Sequence, residues 1–144
     1  VAVAHELLVR AKVAEELKVL TPRFLEVNGW IVNSSEYPTL DVTFLGTRPL
    51  RIRLNYEDWP DRAPAAELLE ASGEVLSVGA TSIFNMSSHP STNRPFICMR
   101  GFNEFHTHPS HLGERWENYR GDEGNNLIGL LMQVSSSWRK VHPR

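Results

Sequence analysis

Apolar residues recur at helical spacing along the start of the chain, where Val3, Leu7, Ala11, Ala14 and Leu17 share one stripe. Glu6, Arg10, Lys12, Glu15, Glu16 and Lys18 occupy the other positions, so the spacing predicts an amphipathic helix from Ala2 to Leu20. Glu6 and Arg10 stand at i,i+4 in the favourable order. Thr21-Pro22 ends the helix, because a proline pushes the residue before it out of the helical region. The period then shortens. Phe24 to Val32 is rich in aromatic and aliphatic residues and reads as a strand. Leu40, Val42 and Phe44 alternate with Asp41 and Thr43 before a turn at Gly46. Leu50, Ile52, Leu54 and Tyr56 alternate with Arg51, Arg53 and Asn55, the cleanest period-two run in the chain. These runs predict an antiparallel meander with one face buried and Arg51 and Arg53 on a solvated face.

Glu57 to Pro64 carries two prolines among charged residues and cannot continue a central strand, so an ordered surface loop is expected. Ala65 to Ala71 fits a short strand or a helical turn, and Ser72-Gly73 breaks it. A strand is expected near Ala80 to Phe84 and a polar turn from Tyr119 to Asn125. A last helix is predicted from Asn126 to Trp138, with Leu127, Leu131, Val134 and Trp138 on one stripe. Asn125 or Asn126 serves as its cap, and Arg139 and Lys140 suit its C-terminal end. Helix, meander, proline loop, irregular segment and helix make an α+β domain with helices on one side of an antiparallel sheet, a single domain over 1–144.

Composition narrows the function classes. At 144 residues the chain can bury a core of its own. A formal charge of -2 gives no reason to expect nucleic acid as a partner. No apolar run has membrane-spanning length, and no signal-peptide pattern opens the sequence, so no membrane partner is expected. A lone cysteine cannot form an internal disulfide, which favours a reducing, cytoplasmic setting and leaves Cys98 as a free thiol.

The irregular segment from Phe84 to Trp116 holds that cysteine and four of the six histidines, far more reactive groups than a core needs. The candidate chemistry therefore lies here. Cys98 supplies a nucleophile, and His106, His108 and His111 supply groups that titrate near neutrality. Glu104 is placed to orient one of the histidines, and Ser91, Asn93 or Asn103 to donate to an oxyanion. Cys98, His106, His108 and His111 are also acceptable zinc ligands. Two histidines one residue apart face opposite ways in an extended chain, and zinc would occupy the thiolate, so no cofactor is expected and zinc is the lesser reading.

In order and motif the chain resembles the ubiquitin-conjugating enzyme family, particularly its divergent bacterial branch. An amphipathic helix precedes a meander whose third strand enters a Trp59-Pro60 and Pro64 loop. His89-Pro90 is similar to the start of the family's His-Pro-Asn signature, and nine residues later Ile97-Cys98-Met99 is similar to its catalytic Ile-Cys-Leu. Trp116 and the last helix follow in the family's order. The resemblance implies a minimal fold lacking the family's last two helices. It implies a ubiquitin-like modifier carried as a thioester on Cys98, received from an activating enzyme and passed to an acceptor amine. It gives His89 the role of shaping its loop. Ser91 stands where the signature has asparagine, and the Cys98-to-Trp116 separation exceeds the family norm. Two alternatives remain: a non-catalytic binding module of the same fold, and a JAB-type metallo-isopeptidase suggested by His106-Thr107-His108-Pro109. The latter's expected Ser and Asp fall on Trp116 and Tyr119, which do not fit.

Overall fold

The computed structural model describes residues 2–144, and Val1 lies outside the described residues. Helix α1 spans Ala2–Leu17. It buries Val9 and Val13 rather than the expected stripe: Val3 is 68% and Leu7 60% exposed, Ala11 and Ala14 face outward, and only Leu17 packs against the core. Polar anchors select this face. His5 Nε2 meets Asp58 Oδ1 at 3.2 Å. Glu16 accepts from Trp59 Nε1 at 2.6 Å and from the Leu127 N–H at 2.8 Å. A count of apolar positions alone does not register such tethers.

The strand expected from Phe24 to Val32 holds only from Trp30 onward, and its first part is corrected by the structure. Pro22–Asn28 forms helix α2. Thr21 caps it by accepting from the Phe24 N–H at 3.1 Å, Pro22 starts its first turn, and Gly29 at φ 64 ends it in the left-handed region. Helix α1 itself stops at Leu17, short of the expected Leu20, where i→i−3 bonds tighten the chain from Lys18 to Leu20, so Thr21-Pro22 starts α2 rather than ending α1.

Strands β1 (Trp30–Ser34), β2 (Thr39–Phe44), β3 (Leu50–Asn55) and β4 (Ala65–Leu69) form an antiparallel sheet in sequence order, with Val42 opposite Ile52 and Ile52 opposite Leu68. The segment at Ala65 to Ala71 is therefore a strand, and the sheet has four strands, not three. Leu50, Ile52 and Leu54 point into the core as their period requires. Arg51 and Arg53 are not a simple solvated face: both bond Asp41, which is buried on the outer side of the sheet. Burial raises the Asp41 carboxyl, but the hydrogen bonds from Arg51 and Asn33 outweigh it and hold the group below its ordinary range.

The strand expected near Ala80 to Phe84 shrinks to β5 (Phe84–Asn85), paired with β6 (Phe96–Ile97) in a separate small sheet. After a short helix α3 (Asn103–Thr107) and two 3-10 turns comes α4 (Leu127–Val141). Asn126 caps α4 by accepting from the Gly129 N–H at 2.7 Å. Leu127, Leu131, Val134 and Trp138 of α4 share one core with Leu40, Val42, Ile52 and Leu54 of the sheet. Among the described residues no helix is long and apolar enough to cross a membrane.

Candidate active site

Cys98 directly follows β6, and its N–H is fixed to the Ile83 carbonyl at 2.7 Å. The chain then reverses through a turn closed by the Phe102 N–H to Met99 O bond. Gly101 occupies φ 108 there, and a Cβ would collide with the Leu130 side chain, so α4 determines how tightly the turn follows the cysteine. The Asn103 N–H bonds Pro64 O, and the Trp116 Nε1–H bonds Pro60 O at 2.8 Å. The proline loop is thus the frame on which both ends of the segment are hung, with Trp59 against Trp116 at 5.7 Å between ring centres.

The turn and the 3-10 stretch Pro109–His111 bring three groups into sequence. Cys98 Sγ lies 3.7 Å from His111 Nε2, and His111 Nδ1 lies 2.8 Å from Glu114 Oε2. An ionised carboxylate only accepts, so Nδ1 carries the proton and Nε2 presents its lone pair to the thiol. Arg100 grips the other carboxylate oxygen through Nε at 3.0 Å and an amino nitrogen at 2.6 Å, while its guanidinium sits 4.9 Å from the Tyr119 ring centre. Phe105 stacks on the His111 ring at 4.0 Å and 17°. The imidazole is therefore fixed in position, tautomer and tilt.

Electrostatics follow from the same contacts. Burial, then the Glu114 charge, pushes the Cys98 thiol up, so at neutral pH it rests as a thiol and its attack requires a base. Arg100 and then His111 hold the Glu114 carboxyl below its ordinary value, so it stays ionised. The group opens onto a cleft of about 680 Å³ that Phe105, Tyr119, Asp122 and Gln133 also line.

The other expected site residues are arranged differently. His106 has no nitrogen free for proton transfer: Nε2 accepts from the Gly101 N–H at 3.0 Å and Nδ1–H donates to Glu114 O at 2.6 Å. It ties the turn after Cys98 to the segment carrying Glu114, and burial lowers its pKa. His108 stacks on Phe96, with Nδ1 facing the Ser110 N–H and Oγ. His89 is 1% exposed; its Nε2–H donates to Glu104 O at 2.9 Å and its Nδ1 accepts from the Ser91 N–H at 3.0 Å. Pro90, Ser91 and Asn93 are exposed, and among the described residues no hydrogen bond joins Ser91, Asn93 or Asn103 to Cys98. Glu104 does not orient a histidine with its carboxylate. That group is buried on the Ala66 N–H at 3.0 Å, and burial raises its pKa to about 7.

The zinc set does not assemble. His106 spends both nitrogens on backbone groups, and among the described residues no three His, Cys, Asp or Glu side chains stand together as a metal site. The groups that the sequence reading missed are Glu114, Arg100 and Phe105. Only His111-x-x-Glu114, two residues three apart, carried a signal, and it lay hidden in a charged run.

Fold and site together define an α+β protein with a thiol, an imidazole and a carboxylate in hydrogen-bonding order at an open cleft. The chain belongs to the Y4jH-like family, which it matches over residues 60–137, from the proline loop through most of α4 and including Cys98, His111 and Glu114. No curated protein matches the chain.

Proposed function

We propose that the protein is a thiol acyltransferase in which Cys98 is acylated with His111 as base and Glu114 as its orienting group. The carrying observation is the contact of Cys98 Sγ with His111 Nε2 at 3.7 Å, backed by Glu114 at 2.8 Å. His111 takes the thiol proton as Sγ attacks the carbonyl carbon of an activated acyl donor, and passes it to the departing group. Because burial holds Cys98 as a thiol, the base is what makes attack possible at neutral pH.

The acyl group fits the resemblance to ubiquitin-conjugating enzymes: the C-terminus of a ubiquitin-like modifier, delivered by an activating enzyme and moved to an acceptor protein in the cytoplasm. The order of N-terminal helix, antiparallel meander, proline loop, His89-Pro90, Cys98 and closing helix supports this. Ser91 stands where the signature has asparagine and makes no hydrogen bond to Cys98, whereas His111 Nε2 contacts the thiol.

The test is charging. With activating enzyme, ATP and modifier, the protein forms an adduct that a reducing agent removes. Cys98→Ala abolishes it and Cys98→Ser gives a slower oxyester. A reducible adduct that persists in Cys98→Ala defeats the assignment.

A further inference from the structure

We propose that the backbone N–H groups of Met99 and Arg100 hold the oxyanion that forms when Cys98 is acylated; this rests on the acyl-carrier reading above. Attack of Sγ on a carbonyl carbon forms a C–S bond and moves the C=O electron pair onto oxygen. Collapse returns that pair, breaks the bond to the departing group and sends the proton held by His111 to it. Between these events the oxygen carries negative charge and needs hydrogen-bond donors already in place. The side chains expected to donate do not supply them: no hydrogen bond joins Ser91, Asn93 or Asn103 to Cys98, and none of the three lines the cleft. The two amide side chains that do line it, Asn125 and Gln133, donate to Tyr119 O and Gly124 O.

The turn after Cys98 offers backbone donors instead. The Cys98 N–H is spent on Ile83 O at 2.7 Å, the Gly101 N–H on His106 Nε2 at 3.0 Å and the Phe102 N–H on Met99 O at 3.3 Å. Among the described residues the N–H groups of Met99 and Arg100 donate to no protein acceptor, and both residues line the cleft with Cys98. Only Cβ, Cα and the carbonyl carbon of Cys98 stand between Sγ and the Met99 nitrogen, so an acyl group on Sγ lies within reach of that N–H. The residue after a nucleophile donates in this way in unrelated hydrolases. The turn is also held from three sides: Leu130 limits it at Gly101, His106 accepts from its Gly101 N–H, and the Arg100 side chain grips Glu114. Donors fixed in advance need no reorganisation as charge develops. Asp122 and Glu123 line the same cleft and oppose a negative oxygen, which makes close, fixed donors necessary.

The experiment uses the full chain and a defined donor, the mercaptoethanesulfonate thioester of acetyl-glycylglycine, with acylation of Cys98 at pH 7 followed by intact-mass spectrometry. Arg100 is the second residue of a turn whose third, Gly101, has φ 108, and proline is favoured at that second place. Arg100→Ala keeps the N–H and loses the grip on Glu114, whereas Arg100→Pro loses both, so the ratio of their rates reads the N–H. Arg100→Pro is acylated about 10²-fold more slowly than Arg100→Ala, the loss that follows removal of one oxyanion donor. A second measurement keeps the wild-type chain and covers the case in which Arg100→Pro does not fold. N-acetylglycinal, an aldehyde, adds to Cys98 as a hemithioacetal whose oxygen takes the oxyanion position, and the amide-proton NMR resonances of Met99 and Arg100 then move downfield. Equal rates in the two Arg100 variants, a loss of the same size in Tyr119→Phe, or amide protons unmoved in the adduct overturns the inference while leaving the acyl carrier intact. Failure of the folded wild-type chain to acylate even at pH 9 overturns the carrier reading and this inference with it.

Discussion

Replacing His106 by alanine separates a positioning histidine from a catalytic one. The side chain makes two hydrogen bonds to the backbone, at 3.0 Å from the Gly101 N–H and at 2.6 Å to Glu114 O. Each is worth about 1 kcal/mol, and Gly101 is buried, so its orphaned N–H adds about 1 kcal/mol more. A loss near ~3 kcal/mol lowers the urea midpoint by roughly 1–2 M for a chain of this size. The sign with pH is fixed by chemistry. Nε2 must stay unprotonated to accept from Gly101, and burial lowers the folded-state pKa. The stabilisation is therefore complete above the unfolded value of about 6.5 and is lost as pH falls through the folded value. The gap between wild type and variant narrows from pH 7.5 to pH 5. Acylation of Cys98 by a small thioester also slows by about 10-fold, because the segment bearing Glu114 is no longer pinned to the turn after the nucleophile. Equal midpoints, or a gap that does not change with pH, would refute the role assigned to this residue.

Two stability predictions follow from the frame around the site. Glu16→Ala removes the acceptor shared by Trp59 Nε1 and the Leu127 N–H, and costs about 2–4 kcal/mol in urea unfolding; a cost below about 0.5 kcal/mol would mean that α1 is not anchored through this carboxylate. Gly101→Ala places a Cβ against Leu130 at φ 108 and costs about 2 kcal/mol, with a drop in Cys98 acylation larger than the stability loss explains; unchanged acylation would separate the turn from the nucleophile.

The sequence by itself determined the α+β fold class. The strict alternation of Leu50, Ile52 and Leu54 with Arg51 and Arg53 leaves one reading, because the side-chain period of a strand is two. The α4 stripe from Leu127 to Trp138 is equally unambiguous, and Asn126 caps where a short polar side chain before an apolar run is expected. Cys98 stood out because it is the one thiol in an irregular, histidine-rich stretch. Thr21-Pro22 and Asn28-Gly29 held the signals for α2, but the apolar residues between them suit a strand as well as a short helix.

The tertiary structure decided the rest. Which face of α1 is buried depends on Glu16 reaching Trp59 and Leu127, contacts between residues 43 and 111 positions apart. Which histidine faces the thiol depends on a turn whose depth α4 limits through Leu130. His106 spends both nitrogens on backbone groups, His108 turns Nδ1 to Ser110 and stacks on Phe96, and His111 presents Nε2 to Cys98. Proton transfer depends on distances of a few tenths of an ångström, and these arise only when the proline loop, the turn and the 3-10 stretch pack together.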